Sequence, residues 1–153
     1  MKIIFEPIGY VFSDYKTPQQ AWEACEKGLM TQNISKIIVN KKYQDGLKGL
    51  EKFSHIFIIY YLHKAKKLEI ETCPAPMTIK NLPKVGVFAS RSQYRPNKIA
   101  LRLVKLEKIE KNVLYVKGLD AINKTPVIDI KPYIKEFDRP LKFKQAPWYC
   151  WLK

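Results

Sequence analysis

The sequence predicts an all-β domain, a small antiparallel barrel or a sandwich, with short helical insertions and an irregular C-terminal tail. Three observations carry this. Six or seven segments of strand length are apolar or alternating and are separated by turn residues. Little of the chain between them carries helix signals. None of the six glycines, at 9, 28, 46, 49, 86 and 118, forms a GxGxxG or a P-loop, so a conventional dinucleotide or ATP fold is not signalled. A chain of 153 residues is one domain's worth and buries a real core.

The elements follow in order. TPQQAWEACEKGLMTQ is the best helix, with Thr17 or Asp14 as cap, Pro18 in the first turn and Gly28 interrupting the pattern. A loop with one or two helical turns fits it equally well. KIIVNKKY, Lys36 to Tyr43, reads as a strand, and Lys48 to Phe53 as a helical turn begun after Gly46. SHIFIIYYLH, Ser54 to His63, is dense in aromatic and β-branched residues and reads as a central strand buried at least partly on both faces. KVGVFA, Lys84 to Ala89, reads as another strand. In IALRLVKLEKIE, Leu101, Leu103 and Lys105 share one side, and Arg102, Val104 and Leu106 the other. Apolar residues on both sides suggest a strand wrapped around a barrel. LEKIEKNVLYVKGLD is a β-hairpin turning at Lys111 and Asn112, and TPVIDIKPYI is a last strand stopped by Pro132 and Tyr133. The tail, FDRPLKFKQAPWYCWLK, holds prolines that forbid long regular elements and aromatics (Trp148, Tyr149, Trp151) that favour burial.

The charge balance points to a partner. Lys and Arg number 28 against 14 acidic residues, a net charge of +14, and such a field attracts a polyanion such as nucleic acid. A metabolite phosphate, an anionic surface or plain solvated lysines are the other readings. Cys25, Cys73 and Cys150 are far apart and form no CxxC, so no zinc knuckle or other metal site is expected, and the thiols read as reduced. No apolar run reaches the twenty or so residues of a membrane helix. MKIIFEPIGY meets Glu6 and Pro7 too early for a secretory signal, so a cytoplasmic location is expected.

Three groups of residues can carry chemistry. Arg91 and Arg95, in ASRSQYRPNK, can reach one anion, or pair locally with Asp120 or Asp129. Pro96 stiffens this loop, and Asn97 can bond its own backbone or a base edge. His55 and His63, eight apart, share a strand face; His55 reads as a satisfied structural group, and His63 as structure or site. Asp120, Asn123, Thr125, Pro126 and Asp129 form a polar turn, the kind of work Asp and Asn do in ordinary turns. Asp129 is an inward charge that an arginine of the first group could meet. Phe5, Phe12, Phe57, Tyr60 and Phe88 read as core or pocket lining, while Tyr94 and Trp148 are better placed to stack on a base.

Four stretches together resemble the TsaA-like family, the TrmO tRNA methyltransferases. GVFASRSQYRPNKIALRLVKL, from Gly86, is similar to GVFATRSPxRPNPIGLSxVxL. GLKGLEKFSHIFIIYYLH resembles GLxGLExFSHIWVIYxFH, GLDAINKTPVIDIKPY resembles GxDxxDGTPVLDIKPY, and EPIGYVFSDY with the following TPQQ resembles PIGxIxSxY with PRQ. Lys98 stands at a proline of the pattern, Arg102 at a serine, and Asn123-Lys124 at Asp-Gly. The resemblance covers about residues 5 to 138, so residues 1–138 are expected to be the barrel domain. Residues 139–153 are expected to be a tail packed on the barrel or on a dimer partner.

The resemblance implies a small antiparallel barrel that works as a homodimer. It implies binding of S-adenosylmethionine and methylation of N6 of threonylcarbamoyl-adenosine beside the tRNA anticodon. It places Pro18, Gln19, Gln20, His63, Lys64, Arg91, Ser92, Arg95, Pro96, Asn97, Asn123, Lys124, Thr125 and Pro126 around the methyl donor. His63, Asp120 and Arg95 become the candidates for chemistry, the first two for handling a proton and Arg95 with Arg91 for holding a carboxylate. Lys41, Lys42, Lys64, Lys66 and Lys67 are expected to follow the tRNA backbone. A non-catalytic RNA-binding barrel and a methyltransferase for another substrate are the alternatives.

Overall fold

The computed structural model describes residues 1–29, 32–73 and 82–149. The chain divides into two compact units, Met1–His63 with Ala100–Tyr133, and Lys64–Ile99 with Ile134–Lys153.

The first unit is a closed antiparallel barrel of six strands, so the sequence's choice between barrel and sandwich resolves to barrel. The strands are β1 (Gly9–Phe12), β2 (Ile34–Val39), β3 (His55–Tyr61), β6 (Ile99–Glu110), β7 (Val113–Lys117) and β8 (Pro126–Pro132), in the order β1-β2-β7-β6-β3-β8, with β8 closing on β1. The two-residue strands β4 (Glu71–Thr72) and β5 (Val85–Gly86) belong to the second unit. Alternation builds the core. Val11, Ile37, Val39, Ile56, Ile58, Val104, Leu114, Val116 and Val127 point inward and are at most 1% exposed. Burying each such side chain stabilises the fold by roughly 1.5–3 kcal/mol. β3 buries Ile56, Ile58 and Tyr60, leaves His55, Phe57 and Ile59 half-buried and exposes Tyr61. On β6 the Val104–Leu106 side enters the core, while Leu101 and Leu103 face outward.

Close approach of β1 and β2 is written into Gly9. It pairs with Val39, and a Cβ there would run into the Ile38 carbonyl oxygen. β8 carries an irregularity: Ile59 pairs with Asp129 and Tyr60 with Val127, so Ile128 is the extra residue. The helix α1 runs Pro18–Glu26 and ends before Gly28, whose φ is +66°. Thr17 caps it, and Asp14 does not.

Three sequence expectations need correction here. The strand at Lys36–Tyr43 stops at Val39, because a 3-10 turn begins at Lys41 and runs to Leu47. Gly46 therefore lies inside a helical turn, and the next one, Leu50–Lys52, follows Gly49 at φ +89°. Phe5 and Phe12 are exposed and line no core; Phe12 alternates outward next to buried Val11.

In the second unit only Val85 and Gly86 of KVGVFA are strand, pairing with Thr72 and Glu71. Val87–Ala89 turns into a 3-10 helix that buries Val87 and leaves Phe88 79% exposed. A four-residue helix, α2 (Lys135–Asp138), opens the C-terminal segment, and Asp138 accepts from the Ile134 N–H at 2.7 Å. Phe137, Leu141 and Phe143 are exposed, whereas Trp148 and Tyr149 are half-buried. Trp151 lies outside the described residues.

Candidate active site

Strand direction brings the polar residues of the first unit to one rim of the barrel. β1, β3 and β7 end there, and β2, β6 and β8 begin there, as the antiparallel registers require. The turn from Leu119 to Thr125 lies at that rim. It is stitched to the chain after β1: Asn123 N–H donates to Tyr15 O at 2.6 Å and Lys124 N–H to Val11 O at 2.7 Å. Ser13 adds two bonds, its hydroxyl donating to Ala121 O at 2.9 Å and its N–H to Asn123 Oδ1 at 3.4 Å. Thr125 is buried, and its N–H returns to Ile122 O at 3.2 Å. Pro126 is half-buried and opens β8. Lys124 sits at φ +64°, a left-handed conformation that costs a side-chain-bearing residue about 1–3 kcal/mol.

Asp120 is the anchor of this rim. Tyr60, 4% exposed at the end of β3, donates its hydroxyl to Asp120 Oδ1 at 2.5 Å. Arg102, at the start of β6, faces Asp120 Oδ2 at 3.7 Å and donates from Nε to Gly118 O at 3.0 Å. Cys25 of α1 lies within their field and keeps an exposed face. Protein packed around its thiol pushes the pKa up; Arg102 pulls it down, and Asp120 and Glu26 add to the rise. His63 is half-buried just past β3, its N–H bonded to Tyr61 O at 2.8 Å.

The Pro18-Gln19-Gln20 segment has structural duties of its own. Pro18 takes the first helical position, and Gln19 donates to Glu23 at 3.0 Å. Gln20 completes a capping box: Oε1 accepts from Lys16 N–H at 2.7 Å and Thr17 N–H at 3.3 Å, while Thr17 Oγ1 accepts from Gln20 N–H. A cleft of about 280 Å³ opens beside α1, walled by Asp14, Tyr15, Gln20, Glu23, Lys27 and Asn33 among others.

In the second unit, the loop from Ser90 to Lys98 is braced from within. The buried Ser90 hydroxyl donates to Val87 O at 2.9 Å and accepts from Ser92 N–H at 3.2 Å. Ser92 Oγ accepts from Tyr94 N–H at 3.2 Å. Arg95 Nη1 donates to Ser92 O at 3.1 Å and Ser90 O at 3.4 Å, so this arginine closes the loop upon itself. Half-buried Tyr94 accepts on its carbonyl from Glu69 N–H at 2.9 Å. Arg91, Pro96, Asn97 and Lys64 are exposed. Lys98 takes φ +48°, which proline, fixed near −65°, cannot adopt.

Each aspartate has partners within the first unit. Asp129 meets Lys131 of its own strand at 2.9 Å and accepts from Ile130 N–H at 2.8 Å. Asp120 meets Arg102. His55 bonds Ser54 Oγ through Nδ1 at 2.9 Å, a structural contact. Sequence reading placed Tyr60 in the core without its partner. The signal was there, since a buried tyrosine hydroxyl at a strand end needs an acceptor. Arg102 and Ser13 were not singled out as site residues. Among the described residues no group of three or more His, Cys, Asp or Glu is arranged to hold a metal, and no helix is long and apolar enough to cross a membrane.

Comparison with known proteins places this architecture. Residues 10–139 match the family described as the tRNA-methyltransferase O N-terminal domain. The chain is 42% identical over 142 residues to the tRNA (adenine(37)-N6)-methyltransferase of Homo sapiens, covering 90% of this chain and 32% of that protein. It therefore spans about a third of the length of that relative. It is 39% identical over 138 residues to a probable S-adenosyl-L-methionine-binding protein of Methanothermobacter thermautotrophicus, covering 90% of this chain and 95% of that one. The crystal structure of TrmO from Pseudomonas aeruginosa superposes with a TM-score of 0.73 at 27% identity, covering 96% of this chain and 63% of that one. The chain belongs to the tRNA-methyltransferase O N-terminal domain family.

Proposed function

We propose that this chain transfers a methyl group from S-adenosylmethionine to N6 of adenine 37 of tRNA, and that the base it prefers carries the threonylcarbamoyl modification. The relatedness to adenine-37 methyltransferases carries the reading, and the fixed carboxylate at the barrel rim suits it. The residues present fit the donor chemically. Its ammonium and ribose hydroxyls need an acceptor, and its carboxylate needs a cation. Asp120 offers the acceptor, with about a third of its side chain exposed, and Asn123 a neighbouring amide. In the second unit Arg91 offers an exposed guanidinium for a carboxylate, of the donor or of the threonyl group. When bound, the donor would supply a methyl carbon on a sulfonium, which a nitrogen can attack as the C–S bond breaks and the sulfur leaves as a neutral thioether.

The chain's own work is positioning and proton handling. As the N–C bond forms, the attacking nitrogen sheds a proton. That nitrogen belongs to a urea-like group and is a weak nucleophile, so proton removal matters. Asp120 has an oxygen on each of two partners and serves as an anchor. His63, half-buried past the end of β3, is the group we assign to the proton. Arg95 keeps the 90–98 loop in shape.

The charge supports an RNA partner. The second unit carries 13 Lys and Arg against 4 acidic residues, net +9, and the first carries 15 against 10, net +5. A homodimer belongs to the same proposal. Its support is an outward apolar set on the barrel, with Tyr10 opposite Ile38 and with Leu101 and Leu103, each 37–46% exposed. A cytoplasmic location belongs to the same proposal. The test is incubation with isotope-labelled donor and tRNA, with label expected in the RNA. RNA binding with no donor binding by calorimetry would instead make the chain a binding module.

A further inference from the structure

Arg102 stands where the family pattern has serine, and it performs two tasks with one guanidinium. Nε holds the Gly118 carbonyl at 3.0 Å, and Nη1 faces Asp120 Oδ2 at 3.7 Å. Gly118 has φ +90°, the left-handed step from which the chain leaves β7 toward Asp120. Arg102 thus touches both the backbone turn that carries Asp120 and the carboxylate itself. Tyr60 meets the other oxygen from the core side. A planar guanidinium suits such a fork, and a lysine ammonium does not. Both partners of the ion pair are about a third exposed, at 35% and 34%, so solvent screens it and it adds little to stability. Its consequence is orientation.

We infer that Arg102 is a positioning residue that, with Tyr60, fixes Asp120 as an anionic acceptor at the barrel rim and so leaves proton removal to another group. This rests on the methyltransferase reading. A carboxylate held on both oxygens is a poor proton shuttle, because accepting a proton would break one of its two contacts. It is a good anchor, because neither rotation nor solvent has to be reorganised when a ligand arrives.

The test is a double-mutant cycle on the full chain. Variants R102S, R102K, D120N and R102S/D120N are compared in methyl transfer to tRNA and in thermal unfolding. R102S is expected to lower kcat about tenfold, with KM for tRNA within about twofold, as for an interaction that matters mainly in the transition state. R102K restores part of the loss, since charge returns without the fork. In the D120N background R102S costs nothing further, because Arg102 acts through Asp120. Losses that multiply, or a raised KM with unchanged kcat, would show that Arg102 contacts the RNA directly and overturn the inference. If the wild-type chain transfers no methyl group, the methyltransferase reading fails. A crystal structure of R102S still decides the positioning: an Asp120 carboxylate rotated off the Tyr60 hydroxyl supports it, and one that keeps its place overturns it.

Discussion

Lys124 shows how a single residue can work against its own backbone. It holds φ +64° in the turn that carries Asp120 and Asn123, at the position where the family pattern has glycine. The strain of about 1–3 kcal/mol exceeds the roughly 0.4–1 kcal/mol that glycine loses through a freer unfolded chain. K124G is therefore expected to raise stability by roughly 1 kcal/mol, measured by denaturant unfolding; a loss of stability would show that the lysine side chain contributes contacts that outweigh the strain. Lys98 is a parallel case in the second unit, since its φ of +48° excludes the proline of the pattern. That conformation was not legible from residue types, because lysine carries no preference for the left-handed region. Asp120 was legible as a polar residue in a turn, but its partners were not. Tyr60 and Arg102 are 60 and 18 positions away in sequence, and the neighbouring strands β7, β6 and β3 bring them together.

At the scale of elements, legibility followed how many independent signals a segment carried. α1 had a cap, a first-turn proline and an interrupting glycine, and of the two readings they left open the helix forms, over Pro18–Glu26. β3, β6, β7 and β8 had apolar runs long enough to fix the strand, while in β3 and β6 apolar residues on both sides left the inward face open. β1 was not read as a strand. It is four residues long and has Tyr10 and Phe12 outside, so neither length nor polarity announced it. KVGVFA was over-read, because its β-branched residues favour strand while the chain turns at Val87. β1 nevertheless closes the barrel through both β2 and β8, and Gly9 permits the approach to β2. G9A is expected to destabilise the fold by about 1–3 kcal/mol, because the methyl group must displace the Ile38 backbone. An unfolding midpoint equal to wild type would mean that β1 and β2 separate at little cost. A surface cluster on β6 and β7 has a definite sign with pH. Lys108 and the Tyr115 hydroxyl hold the exposed Glu110 carboxyl below its usual range. Whatever stability that cluster adds is present above the usual carboxylate range and is lost as pH falls through the lowered value.

For the whole molecule, charge and chemistry fall in different places. The barrel supplies an apolar core and a polar rim, while the second unit holds 9 of the 14 net positive charges. Lys66 and Lys67 are exposed there, as expected of residues that follow a phosphate backbone. K66A/K67A is expected to weaken tRNA binding uniformly and to reduce the slope of log affinity against log salt by roughly 1–2. An unchanged slope would remove both lysines from the footprint. The sequence's net charge predicted a polyanion partner but could not locate it, because lysines are spread over the chain and only folding divides them between units. The proposed reaction is methyl transfer to N6 of a modified adenine. Its most direct test incubates the chain with labelled S-adenosylmethionine and tRNA, with and without the threonylcarbamoyl group, and identifies the labelled nucleoside by mass spectrometry. Label on N6 of adenine 37 in the modified tRNA alone is the predicted result; no label in either RNA, or label at another nucleoside, would contradict it.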